Sequence, residues 1–137
     1  MNHMRGAAMV EFALAWPVAL LLVLGSVELA VWAAESFAAR SAALAGARAA
    51  AVAGANTQAA TAVTIHVLAP SLVGGSAVSW CPGQGGAQPP LWVCARDIGT
   101  AVQVDVGGSV PALVPLAPGR GLPLRAHVAL QKESFAR

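Results

Sequence analysis

Charge is scarce in this sequence. Asp, Glu, Lys and Arg make up 10% of its 137 residues, against roughly 25% in an ordinary soluble domain. Lys and Arg number 8 and Asp and Glu 6, a formal net charge of +2. So small an excess excludes a surface of clustered cations built for nucleic acid. Low charge combined with 57% hydrophobic residues also excludes a disordered chain, which would be polar and strongly charged. Tyrosine is absent and aromatics reach only 5%. The 2 cysteines are too few to hold a structural zinc without help from histidine, and His3, His66 and His127 lack ligand spacing. From Ala49 to Ala95 there is no Asp, Glu, Lys or Arg, which implies surfaces meant to be covered.

What the sequence has instead is alanine, 32 residues of it, and one long apolar run. The length suits one small domain plus an appendage. From Phe12 to Val27 the only polar side chain apart from the Trp16 indole is Ser26, and up to Ala34 the only charge is Glu28. A bilayer is crossed by about 20 apolar residues. Phe12 to Ala34 is therefore expected to span, with Glu28 near the far interface, where a carboxylate is tolerated better than at the centre. A buried core helix is one rival, and a cleaved secretory signal is another. The latter would use Arg5 as its basic region, Leu20 to Leu24 as its apolar region and Ser36-Phe37-Ala38 as its cleavage site. Arg5 lies on one side and Arg40 and Arg48 on the other, so the positive-inside rule does not fix the orientation.

The helical pattern continues past the span. Ala33 to Ala53 has no proline, a single glycine, and mostly alanine, the strongest helix former. Gly54 followed by Asn56 is a stop signal. One helix over Ala7 to Ala53 results, kinked at Pro17 by a missing hydrogen bond. Ala38, Ala42, Gly46, Ala50 and Gly54 recur every fourth residue, a ridge that lets helix backbones approach closely. The partners expected there are copies of the chain or its relatives.

Asn56 to Leu68 reads as a second helix, capped by Asn56 or Thr57 and ended by Pro70. Beyond it, alternation marks strands at Val102 to Val106 and Leu122 to Gln131, with weaker candidates at Ser76 to Trp80 and Leu91 to Ala95. The four prolines from Val110 to Pro123 make that segment a loop and not a central strand. The expected class is α+β: a long N-terminal membrane-spanning helix, a short helix, and a small antiparallel sheet leaning on the outer part of the long helix.

Cys81 and Cys94 flank a Pro- and Gly-rich turn. A disulfide, two free thiols and a metal site are the alternatives. The turn favours a disulfide worth about 3 kcal/mol, which requires an oxidising compartment. No catalytic constellation is visible. His66 and His127 read as structural, Asp97 and Asp105 have no carboxylate partner in sequence, and Gly83, Gly85 and Gly86 do not form a phosphate loop. Neither catalysis nor a cofactor is expected.

Arg5-Gly6-Ala7-Ala8-Met9-Val10-Glu11-Phe12 heads the apolar helix. It resembles the prepilin-peptidase site of type IV pilin-like proteins. More closely, with Glu28 as a second acid and Gly46-Ala47-Arg48 downstream, Arg5 to Val52 is similar to the TadE-like pseudopilins of tight-adherence (Tad/Flp) pilus systems. The resemblance implies cleavage between Gly6 and Ala7, recognition through Gly6 and Glu11, and Phe12 as first membrane anchor. Glu28 is either a packing partner or an interfacial carboxylate, with Ala42, Gly46 and Ala50 as helix-packing positions. It divides the chain into a leader (1–6), a transmembrane and periplasmic helix (7–54) and a periplasmic α+β domain (55–137), in the inner membrane and extracellular once assembled. Implied partners are prepilin peptidase, other pilins and the assembly machinery, and membrane lipid. The alternative is an unprocessed single-pass membrane protein whose periplasmic domain binds a partner.

Overall fold

A computed structural model describes residues 4–52, 56–113 and 121–132. Gly54, the expected helix stop, and the middle of the proline-rich loop lie outside the described residues. The first element, α1 (Met4–Val52), is a single helix of 49 residues, about 73 Å long. It continues through Pro17 without a break in the helical assignment. The second helix, α2 (Thr57–Leu68), is capped by Asn56, whose Oδ1 accepts from the Ala59 N–H at 3.1 Å. It passes into a 3-10 turn, Ala69–Ser71, where Pro70 has no N–H with which to continue an α-helix.

Four strands follow: β1 (Val78–Ser79), β2 (Leu91–Asp97), β3 (Ala101–Val110) and β4 (Leu122–Gln131). They lie in the order β1-β2-β3-β4. The sheet is not wholly antiparallel as the sequence suggested. β2, β3 and β4 are antiparallel, but β1 runs parallel to β2 through Val78↔Trp92 and Ser79↔Val93. Parallel neighbours require a crossover and cannot be joined by a tight hairpin. The Gly- and Pro-rich stretch after Trp80 is that crossover, and alternation within a strand carries no information about its direction.

Strand alternation sorts the sheet into two faces. Leu91, Val93, Val102, Val104, Val106, Val110 and Leu124 are all buried, with Ala126 beside them. They form one core with Ala39, Ala42, Ala43, Ala47 and Ala50 of α1 and with Ala60 and Leu68 of α2. Both helices therefore cover the same side of the sheet, α1 over β3 and β4 and α2 over β2. The opposite face carries Trp92, Arg96, Gln103, Asp105, Arg125 and His127.

Candidate functional site along the long helix

α1 has two physically distinct parts. From Met9 to Val27 no residue is buried, and Phe12, Leu14, Leu21, Leu22 and Val23 are among the large apolar side chains left exposed. Phe12 and Trp16, one turn apart, stack with ring centroids 5.8 Å apart. This uncovered, mostly apolar stretch spans about 28 Å, close to the thickness of a hydrocarbon core. The stem fits a membrane anchor. Gly6 and Ala7 lie in the first turns of α1. Glu11 follows on the same helix, exposed, and directly precedes the aromatic end of the stem.

The change from uncovered to covered helix is marked by polar contacts on one face. Both carboxylate oxygens of Glu28 accept from the Leu113 backbone N–H, at 2.9 and 3.1 Å. Trp32 donates its indole N–H to the Pro123 carbonyl at 2.9 Å. Glu35, only 3% exposed, accepts from the Val73 N–H at 2.9 Å. Spacings of four and three residues put these side chains on one stripe of the helix. Each meets a different segment of the C-terminal part, so the stem is tied to the head at three points over two turns. The apolar stretch left for lipid thus ends near Val27, short of the Ala34 expected from hydropathy alone. Glu28 has its place in the chain's own fold, whatever it does in an assembly.

The ridge of small residues is occupied in the same way. Ala42, Gly46 and Ala50 are buried, and the element against Gly46 is α2 of the same chain. A Cβ on Gly46 would collide with the Thr64 hydroxyl and stand 2.6 Å from the Ala60 carbonyl. Thr64 is itself fully buried and donates to that Ala60 carbonyl at 2.8 Å. The close approach is real, but a neighbouring element inside the chain supplies the second helix. The side of α1 that remains uncovered carries Leu29, Phe37, Arg40, Ser41 and Arg48.

Cys81 and Cys94 form a disulfide across 13 positions of sequence. It ties the segment after β1 to the buried middle of β2. On the face of the sheet away from the helices, His127 Nδ1 and Asp105 Oδ1 are 2.6 Å apart, and Gln103 donates to the other Asp105 oxygen at 2.7 Å. At the end of β2 Lys132 donates to Asp97 at 2.8 Å, and the Gly99 N–H donates to Asp97 at 2.8 Å. These bonds, the lysine first, hold the Asp97 carboxyl below the usual carboxylate range.

Glu35 and Trp32 went unrecognised as site residues in the sequence. The available signal was their spacing from Glu28. A lone acid seven residues beyond another, in an alanine-rich helix, is costly to bury without a partner.

An uncovered apolar stem thus continues as one helix into a small α+β head with a mixed sheet, and polar ties hold the junction. The family model for TadE-like proteins matches residues 6–48, from the glycine of the N-terminal motif to Arg48 on the covered half of α1. The N-terminal third of the chain is therefore similar to TadE-like proteins. No curated protein matches the chain. No solved structure matches it either.

Proposed function

We propose that the chain is a TadE-like minor pilin or pseudopilin, processed by prepilin peptidase after Gly6 and used as a structural component in assembling a Tad/Flp pilus. The observation that carries the proposal is the position of Gly6, Glu11 and Phe12 at the head of an uncovered apolar helix, inside the span similar to TadE-like proteins. Glycine at the cleaved bond admits the backbone to a protease without a side chain in the way. Hydrolysis of the Gly6–Ala7 peptide adds water across it, leaving a carboxylate on the leader and a new amine on Ala7. In a bundle of such helices the Glu11 carboxylate of one subunit pairs with the Ala7 amine of its neighbour. In a dry environment that pair acts chiefly on register, because breaking it strands a charge at a cost of several kcal/mol.

In this reading α1 anchors the protein in the inner membrane, and the α+β head stands in the periplasm and travels with the pilus. The disulfide suits that compartment. The uncovered side of the helix beyond Val27 is the surface offered to other pilins. The test is mass spectrometry of the chain co-expressed with a prepilin peptidase. A mature N-terminus at Ala7, with Gly6→Ala accumulating the full-length form, is the expected result. A chain that keeps its first six residues beside an active peptidase would replace this reading with the unprocessed single-pass alternative. A start at Ala39 would point to an ordinary secretory signal.

A further inference from the structure

A groove of ≈ 920 Å³ runs along the sheet face that the helices leave open, and its lining includes Arg40 of α1, Trp92 of β2, Gly107 and Gly108 of β3, and Arg125 and His127 of β4. Gly107 has no side chain on this face, whereas Gly108, the next residue of β3, faces the core side with Leu91 and Leu124. The Trp92 ring lies over Gly107, where a Cβ would stand 2.9 Å or less from the ring atoms, and a Cβ on Gly108 would come within 2.8 Å of the Leu91 backbone.

The charges around the groove do not balance. Arg40 and Arg125 are exposed, and neither guanidinium has an ion-pair or hydrogen-bond partner among the described residues. Asp105 is the acid in the lining, and its two oxygens are already taken by His127 and Gln103. Two unpaired guanidinium groups beside one groove favour carboxylates, which they hold through paired N–H donors.

The groove also borders an unpaired strand. Among the described residues β4 pairs only with β3, which leaves one edge of a ten-residue strand open. The Pro123 carbonyl accepts from Trp32 of α1 and therefore points away from β3. Backbone groups alternate between the two edges of a strand, so the N–H and C=O of Arg125 and His127 point outward on the same edge. A non-hydrogen-bonded pair at Asp105↔His127 brings the two side chains close, as their 2.6 Å contact shows.

From these observations we infer that an extended acidic segment of a partner protein adds to the free edge of β4, its carboxylates held by Arg40 and Arg125. The open edge selects a peptide, because only a backbone can match alternating N–H and C=O groups. Unpaired arginines select acid in that peptide. Arg40 comes from α1 and Arg125 from the sheet, so the site also depends on the helix and sheet being docked as they are.

The test uses the full chain in detergent micelles and a blocked peptide of about seven alternating valine and glutamate residues, the length of an ordinary strand. Amide hydrogen exchange at Arg125 and His127 should slow when this peptide binds. Affinity should fall about tenfold or more in R40Q/R125Q, stay unchanged in R96Q at the far end of β2, outside the groove, and weaken with salt. A valine–lysine peptide and a glutamate peptide N-methylated at alternate amides should both bind poorly. Equal binding of the lysine peptide, indifference to R40Q/R125Q, or undiminished binding of the N-methylated peptide would overturn the inference. So would a preference for polygalacturonate over the peptide, which would make the groove a site for acidic polysaccharide. These outcomes are independent of processing at Gly6.

Discussion

Gly46 shows how one missing side chain sets a helix pair. A Cβ there would meet the Thr64 hydroxyl and the Ala60 carbonyl, and both belong to a buried layer with little room to yield. Gly46→Ala gains about 1 kcal/mol of helix propensity but should lose about 1–3 kcal/mol to overpacking. The net expectation is a lower denaturation midpoint by circular dichroism, with partial recovery in Gly46→Ala/Thr64→Ala. Recovery is only partial because the Ala60 carbonyl stays where it is. Asp97 makes a different residue-scale case. Lys132 and the Gly99 N–H favour its charged form and depress its folded pKa. The resulting stabilisation is therefore present above the ordinary carboxylate value and is lost as pH falls through the lowered one. The pair is exposed, so the effect is small and screened by salt. Hydrogen exchange at the β2–β3 turn should accelerate in that acid window in the wild type, and Asp97→Asn should show a flat response there.

Among the elements, β1 depends most on covalent help. It has two paired residues, far short of what holds a strand by itself. Cys81 follows it closely, and the bond to Cys94 fastens its end to β2. Closing a loop of this length is worth about 3 kcal/mol. Reduction, or replacement of both cysteines by serine, should lower head stability by about that amount. The loss of protection from exchange should be concentrated at Val78 to Trp80 and the start of β2. Uniform weakening across β3 and β4 would assign the disulfide a global role instead. The two strong strands were legible because β3 and β4 each bury one face and alternate cleanly. β1 was legible only as a weak candidate, because two residues carry no period. Its direction was not legible at all, since parallel and antiparallel neighbours show the same alternation.

For the whole molecule, the central feature is the junction between stem and head. Glu28, Trp32 and Glu35 each hold a separate segment of the head, so the head cannot swivel on the helix without breaking several bonds at once. Glu35 matters most because it is buried. Glu35→Ala leaves the Val73 N–H without its acceptor and should cost about 1–3 kcal/mol, read as a lower thermal midpoint and faster proteolysis around Val73. Glu35→Gln keeps an acceptor oxygen and should stay close to the wild type. If alanine and glutamine behaved alike, charge rather than the hydrogen bond would be what the junction needs.

The sequence by itself determined the apolar stem, the length of α1 to within a few residues, the α2 cap at Asn56, the two long strands and the motif from Gly6 to Phe12. All of these rest on local chemistry: runs, periods, caps and spacings within one segment. Only the tertiary structure decided what the small-residue ridge packs against, where the stem ends, and how β1 is oriented. It also decided that Glu28 and Glu35 are bound by backbone amides of the head and that Arg40 and Arg125 line one groove. Each of these depends on which distant segment arrives at a given face, and no local pattern carries that information. The alanine ridge could accept any second helix; α2 was the nearest, its Ala60 and Thr64 lying fourteen and eighteen residues beyond Gly46.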